Sequence, residues 1–249
     1  MAKKQSWEAE LEIAASQTIG QAAASTPRVG GARLSIRAGI LTLNGKELKT
    51  DDLECVLVDF ILENAYYHCA YDPENPVSPS CYALGRDAAG LAPSNKSSDK
   101  QATECAGCPQ NQFGSADVGR GKACKNSYRV VLWVPDEAGR DEPELISLTA
   151  KLTVFKDFGM YVDSCANNLH RPYWAVSTKL STVPDRKSQY RLKFELSDRL
   201  DKDSVAIVKQ LRAERSEELL FADFPDTEDM LKNRKGATSK GGGGKRNKF

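Results

Sequence analysis

The sequence predicts a mainly β domain, a small Greek-key barrel with added helices, into which a metal-binding module is inserted. Three observations predict it. Short stretches that alternate apolar and polar residues, bounded by turn signals, lie on both sides of the middle of the chain. Between them Cys81, Cys105, Cys108 and Cys124 stand in a turn-rich stretch poor in large apolar residues. Within the expected domain, helical spacing appears late, over residues 154–169 and 204–220.

Taken in order, residues 1–31 are rich in Ala, Ser and Gln and are expected to form a flexible segment with a short helix near 7–15. Order is expected from 32 to 231 as one domain. Leu34 and Ile36 alternate with Ser35 and Arg37, Ala38-Gly39 can turn the chain, and Leu41 and Leu43 alternate again. Asn44-Gly45 is the strongest hairpin signal in the chain, because both residues tolerate the positive φ of a tight hairpin turn. Residues 53–62 form a buried strand by their branched and aromatic content. The metal module interrupts at about 65–127, strands resume at 128–134, and a polar loop covers 135–144. In the helix at 154–169, Phe158, Val162, Cys165 and Leu169 share a face. Residues 173–183 and 189–196 form a strand pair, and 204–220 a helix. Five to seven antiparallel strands with one late helix suit a barrel of the oligonucleotide-binding (OB) type, with a sandwich as the competing architecture. The glycine-rich basic tail, 232–249, is expected to be disordered.

The cysteines form a C-x23-C-x2-C-x15-C array. A C-x2-C turn brings two sulfurs to one ion, and Gly107 and Pro109 let the backbone bend round it. Four thiolates fill the tetrahedron of Zn2+ and leave no open position, so the ion expected at Cys81, Cys105, Cys108 and Cys124 is structural. It would replace the core that this stretch cannot build. Cys55, Cys69 and Cys165 lie in apolar runs and are expected to be small buried hydrophobes. Unligated thiols and redox chemistry are the alternatives for the array. His68 and His170, the only histidines, lack ligand-like spacing. The opening Met-Ala-Lys-Lys has no apolar signal segment, so a cytoplasmic location is expected, where disulfides are rare.

The net charge of +1 is unevenly distributed. Residues 232–249 carry seven cations and no acid, which leaves −6 on the rest. Acids gather just before the tail, from Glu214 to Asp229. Cations gather beside the last cysteine and again through 179–193. That segregation is compatible with a basic groove on an acidic body, and equally with solvated faces.

Several segments resemble single-stranded DNA-binding proteins of tailed bacteriophages and prophages. They are Asn64-Ala65-Tyr66-Tyr67, Ala70-Tyr71-Asp72, Pro79-Ser80-Cys81-Tyr82-Ala83-Leu84-Gly85, the run from Cys105-Ala106-Gly107-Cys108-Pro109 to Phe113-Gly114-Ser115, Gly121-Lys122-Ala123-Cys124-Lys125-Asn126, and the strand at 174–180. The resemblance spans roughly residues 34–200. It implies an OB barrel with a zinc-binding insertion, largely sequence-independent binding of single-stranded DNA, and a role in phage DNA replication or recombination in the host cytoplasm. Replication or recombination proteins are then the expected partners. Many such proteins end in an acidic tail that recruits partners. Here the last 18 residues are basic, and the acidic stretch 214–229 is left for that part.

The residue chemistry points the same way. Binding single strands without reading sequence needs cations along the phosphates and aromatic faces for the bases. Arg120, Lys122, Lys125, Tyr128 and Arg129 interleave the two, as do Tyr173, Trp174, Lys179, Tyr190, Arg191 and Lys193. The competing reading of these aromatics is that they are core residues. An enzyme is not expected. The chain has no phosphate-binding glycine loop followed by Lys-Ser or Lys-Thr, no His-Glu-x-x-His, and no His-x-Glu ahead of a Pro-Cys-x-x-Cys. A zinc-stabilised scaffold for a replication or transcription protein is the alternative function.

Overall fold

The structure is a computed structural model that describes residues 32–70, 72, 75–135, 144–151, 155–186 and 188–227. The expected N-terminal helix and the basic tail lie outside the described residues, as does most of the loop expected at 135–144.

Among the described residues, nine strands and three α-helices make a mainly β architecture. The strands are β1 (Ala32–Arg37), β2 (Ile40–Leu43), β3 (Lys46–Glu47), β4 (Asp52–Tyr66), β5 (Cys81–Gly85), β6 (Lys125–Trp133), β7 (Leu145–Lys151), β8 (Val176–Asp185) and β9 (Gln189–Arg199). The helices are α1 (Phe155–Leu169), α2 (Lys202–Glu214) and α3 (Ser216–Leu220). Along the sheet the order is β3-β2-β1-β7-β6-β4-β8-β9, with β5 added to the far end of β4. All pairs are antiparallel except β1 with β7.

Both predicted turns form. Ala38-Gly39 and Asn44-Gly45 all have positive φ, the conformation that joins twisted antiparallel strands in two residues. At Gly39 the glycine is needed twice: φ is +85°, and a Cβ would lie 2.5 Å from the Tyr190 ring.

β4 organises the molecule. Its first residues pair with β8, the remainder with β6, and its end also with β5. Cys55 and Leu57 face an inner core with Leu34, Leu132, Leu148, Phe158 and Leu180. Val56, Val58 and Ile61 face an outer cluster with Trp133, Val208, Leu211 and Leu220. A strand buried on both faces reads as an unbroken apolar run, which is why 53–62 carries no alternation. Each of these fully buried aliphatic side chains contributes about 1.5–3 kcal/mol. A bulge between Leu57 and Asp59 shifts the phase, so Glu63 and Ala65 join Val56 and Val58 on the outer side.

The expected barrel closure is not what the described residues form. The sheet is mixed and stays open, with β3 and β9 at its two ends. The β1–β2 hairpin reaches the β8–β9 ribbon through side chains instead of a ladder: Thr182 Oγ1 donates to the Gly39 carbonyl, and Tyr190 lies against Gly39. Its turn fills the seam without edge-to-edge pairing. α1 supplies Phe158, Tyr161 and Cys165 to the inner core, close to the face predicted. The helix expected over 204–220 breaks at Arg215, where ψ is −22° and φ −129°. Asp201 caps α2 by accepting from the Ser204 N–H at 2.8 Å. β5 and β7 are two strands the sequence reading did not place. Among the described residues, no helix is long and apolar enough to cross a membrane.

Asp59, at the bulge, is a buried junction. It accepts from Arg86 Nη2 at 3.0 Å, Tyr173 Oη at 3.0 Å and the Phe60 N–H at 2.9 Å, with Arg212 3.5 Å away. One carboxylate thus ties the segment after β5, the sheet and α2 together. Burial alone would raise its pKa, but the Arg86 hydrogen bond, the Phe60 N–H and the charges of Arg212 and Arg86 outweigh it and hold the group below the usual range. A depressed carboxylate contributes stability above its unfolded pKa of about 3.9 that is lost as pH falls through the folded value. Urea midpoints measured downward from about pH 4.5 are expected to fall more steeply for the wild type than for Asp59→Asn. Parallel acid limbs would assign the acid sensitivity to other carboxylates.

Candidate nucleic-acid interface and cysteine centre

The four predicted metal ligands come together. Cys81 opens β5 opposite Tyr66, and Cys124 immediately precedes Lys125, which pairs with Ala65. The end of β4 therefore holds one cysteine on each side. The Cys105–Cys108 turn completes the group. Asn111 Nδ2 donates to the Cys105 carbonyl at 2.8 Å, and the Cys124 N–H donates to the Gln110 carbonyl at 2.8 Å. All four are buried, none is in a disulfide, and together they line one cavity of about 10 Å³. The module has little other core: Ala83, Leu91 and Cys105 pack with Leu62.

Burial, then the charges of Cys105, Cys108 and Cys81, push the Cys124 thiol up to about 12, and burial likewise raises Cys105. Burial thus favours the neutral form of Cys105 and Cys124, and a divalent cation beside them would reverse that preference. Among the described residues, no three His, Cys, Asp or Glu side chains stand ready to hold an ion. What converges is four cysteines on one cavity. His68 turns away, with Nε2 2.8 Å from Asp99 Oδ2. Of the remaining cysteines, Cys55 and Cys165 are buried as expected. Cys69 is exposed, contrary to expectation, because it follows the end of β4 and enters the turn region.

The predicted nucleic-acid residues divide. Lys122 and Lys125 line a cleft of about 670 Å³ on the outer face of β6, β7 and β1. They are joined there by Arg33, Lys151, Tyr67 and Phe113, which the sequence reading did not select. Lys122 Nζ donates to Asn111 Oδ1 at 3.2 Å and stands 5.1 Å from the Phe113 ring centre. Arg129 also lines this cleft, but its charge is committed. Nε donates to Glu63 Oε2 at 2.7 Å, and Nη1 donates to the carbonyls of Leu220 and Ala222. Tyr190 and Arg191 line a neighbouring cleft of about 360 Å³, where Arg191 pairs with Asp157. Arg120 is exposed and lines neither of these clefts.

The others lie elsewhere. Tyr128 points inward, 5.4 Å from Phe60 and 4.8 Å from Phe158. Tyr173 binds Asp59, and Trp174 packs on the outer cluster beneath the cations of Lys209 and Arg212. Lys179 pairs with Asp52 and Lys193 with Glu195, each at 2.7 Å. For Tyr128 the reason is strand parity: on β6, Lys125, Ser127 and Arg129 face the cleft, while Tyr128 and Val130 face the core. The missed Lys151 had a readable signal in Ile146, Leu148 and Ala150 alternating with Ser147, Thr149 and Lys151. Phe113 had none.

The chain matches no protein-family model, no curated protein and no solved structure.

Proposed function

We propose that this protein binds single-stranded DNA largely independently of sequence, as an accessory in phage DNA replication or recombination, with a structural Zn2+ at Cys81, Cys105, Cys108 and Cys124. The observation that carries this reading is a continuous track. A cleft of about 440 Å³ beside His68 and Asp117 shares Tyr67 and Lys125 with the central cleft. The central cleft shares Arg33, Thr149 and Lys151 with the cleft at Tyr190. Cations from Lys122, Lys125, Arg33 and Lys151 therefore follow one path with the rings of Tyr67, Phe113 and Tyr190, and Arg191, paired with Asp157, lies at its end. That is the composition a sequence-tolerant single-strand groove needs.

Topology supports the OB reading. β4, β6, β7, α1, β8 and β9 follow the order of a five-stranded Greek-key barrel with a helix between its third and fourth strands. β4 is the long first strand shared by both halves. In that fold the outer face of strands two and three binds oligonucleotides, together with the loops between strands one and two and between four and five. Here those elements are the β6–β7 face, the cysteine module and the β8–β9 turn. Four buried cysteines lining one cavity support the zinc, since four thiolates would fill its tetrahedron and leave a structural site.

Fluorescence anisotropy with a mixed-sequence oligonucleotide tests the binding. Single strands are expected to bind more tightly than duplex, with about −0.7 in the log–log salt slope for each phosphate neutralised. Equal affinity for duplex would reject a stacking groove. No binding to either would favour the scaffold function.

A further inference from the structure

We infer that Phe113, backed by Lys122, is a base-stacking platform that gives the groove its preference for unpaired bases; this rests on the single-strand reading above. A solitary exposed apolar residue calls for no explanation. Phe113 differs in three respects. It is 75% exposed, yet it stands at the wall of the central cleft, among cations suited to phosphates. Its ring already has the Lys122 ammonium at 5.1 Å, a cation–π contact that leaves ring surface for a second flat partner. And its loop is braced.

The brace is dense. The segment 109–123 runs between Cys108 and Cys124. Gln112 Nε2 donates to the carbonyls of Ala106 and Cys108, and Lys122 Nζ donates to Asn111 Oδ1. Ser115 Oγ donates to the Gln110 and Gln112 carbonyls and accepts the Ala123 N–H at 2.9 Å. Gly114, directly after the ring, has φ +91°, a conformation that glycine adopts without strain, and its N–H donates to the Gly121 carbonyl at 2.9 Å. A ring held out from the fold by its neighbours' hydrogen bonds is preorganised for a ligand with a flat apolar face. In a cleft of cations, the ligand with flat faces and a polyanionic backbone is an unpaired stretch of nucleic acid. A duplex keeps its base faces stacked and cannot use the ring.

The test compares the full-length wild type with Phe113→Leu, Phe113→Tyr and Val118→Ser on a mixed-sequence single strand, a duplex and an abasic strand of equal length. Val118 is 89% exposed on the same loop but lines none of the clefts described above. Phe113→Leu is expected to weaken single-strand binding roughly 5- to 100-fold, the size of one lost base–aromatic stack. Duplex and abasic affinities and the salt slope should not move with it. Phe113→Tyr should restore most of the loss, and Val118→Ser should match the wild type. Unchanged single-strand affinity in Phe113→Leu overturns the inference, and leaves the ring as a protein contact. An equal loss in Val118→Ser also overturns it, by assigning the effect to loop integrity. A wild type that binds no oligonucleotide fails the groove reading itself, a distinct result.

Discussion

Replacing Arg129 with methionine is expected to destabilise the protein by about 3–5 kcal/mol, because it strands a buried carboxylate. The side chain of Glu63 is 7% exposed and that of Arg129 11%, so solvent screens the pair little. Glu63 keeps a hydrogen bond from Ser127 Oγ at 3.1 Å after the change, but it loses its counter-charge. Arg129 does more than neutralise it. It donates to the carbonyls of Leu220, the last residue of α3, and of Ala222 just beyond it, and the Phe224 ring lies 5.3 Å from the guanidinium. Loss of Arg129 should therefore also loosen residues 219–225, which form one wall of the central cleft. Urea denaturation of Arg129→Met, Glu63→Met and the double variant separates the causes. The double variant should recover a large part of the loss, since a buried ion pair replaced by apolar side chains of similar volume is often neutral or better. A loss under about 1 kcal/mol in Arg129→Met would show that water reaches Glu63 and that the pair is not a staple.

Arg129 also illustrates where sequence reasoning stopped. Its neighbours Lys125 and Tyr128 share its strand, and a linear reading groups all three as one site. The pleat divides them, and the bulge in β4 then decides which residues of that strand meet them. Such a bulge is a property of pairing between segments about 70 residues apart, and nothing local announces it. Elements written in local period were legible. The Asn44-Gly45 turn, the apolar run of β4, the alternation of β9 and the Phe158–Leu169 face of α1 each carry their signal within one segment. β5 was hidden by its five-residue length between proline-rich and polar flanks. β7 was readable in its alternation but masked by the neighbouring helical pattern. The cysteine group was legible for the same reason as the turns, since C-x2-C is local. The sheet then brought Cys81 and Cys124 to it by pairing on both sides of β4. Barrel closure was not legible, because it depends on whether a hairpin turn meets the last ribbon by ladder or by side chains.

The cysteine group should have the second large effect. Protein purified without chelator is expected to hold about one zinc per chain, and Cys108→Ser to lose it. The core of the module explains the size of the consequence. The small cluster of Ala83, Leu91 and Cys105 with Leu62 cannot offset the ordering of some forty residues between Cys81 and Cys124, so a bound ion would carry folding free energy there. The inner core and the outer cluster draw on β4, β6, β7, β8 and the helices, with no residue from the cysteine turn. Cys108→Ser should therefore open residues 86–124 to limited proteolysis, while far-UV circular dichroism retains most of the strand signal. Single-strand affinity should fall in the same variant, because Phe113 and Lys122 ride on the loop between Cys108 and Cys124. A parallel Cys69→Ser variant, altered at an exposed thiol, should keep both its zinc and its resistance. Full zinc occupancy in Cys108→Ser or Cys124→Ser would remove that cysteine from the ligand set. Protein with no metal, equally resistant in wild type and Cys108→Ser, would leave four packed thiols as a small apolar core and end the zinc reading.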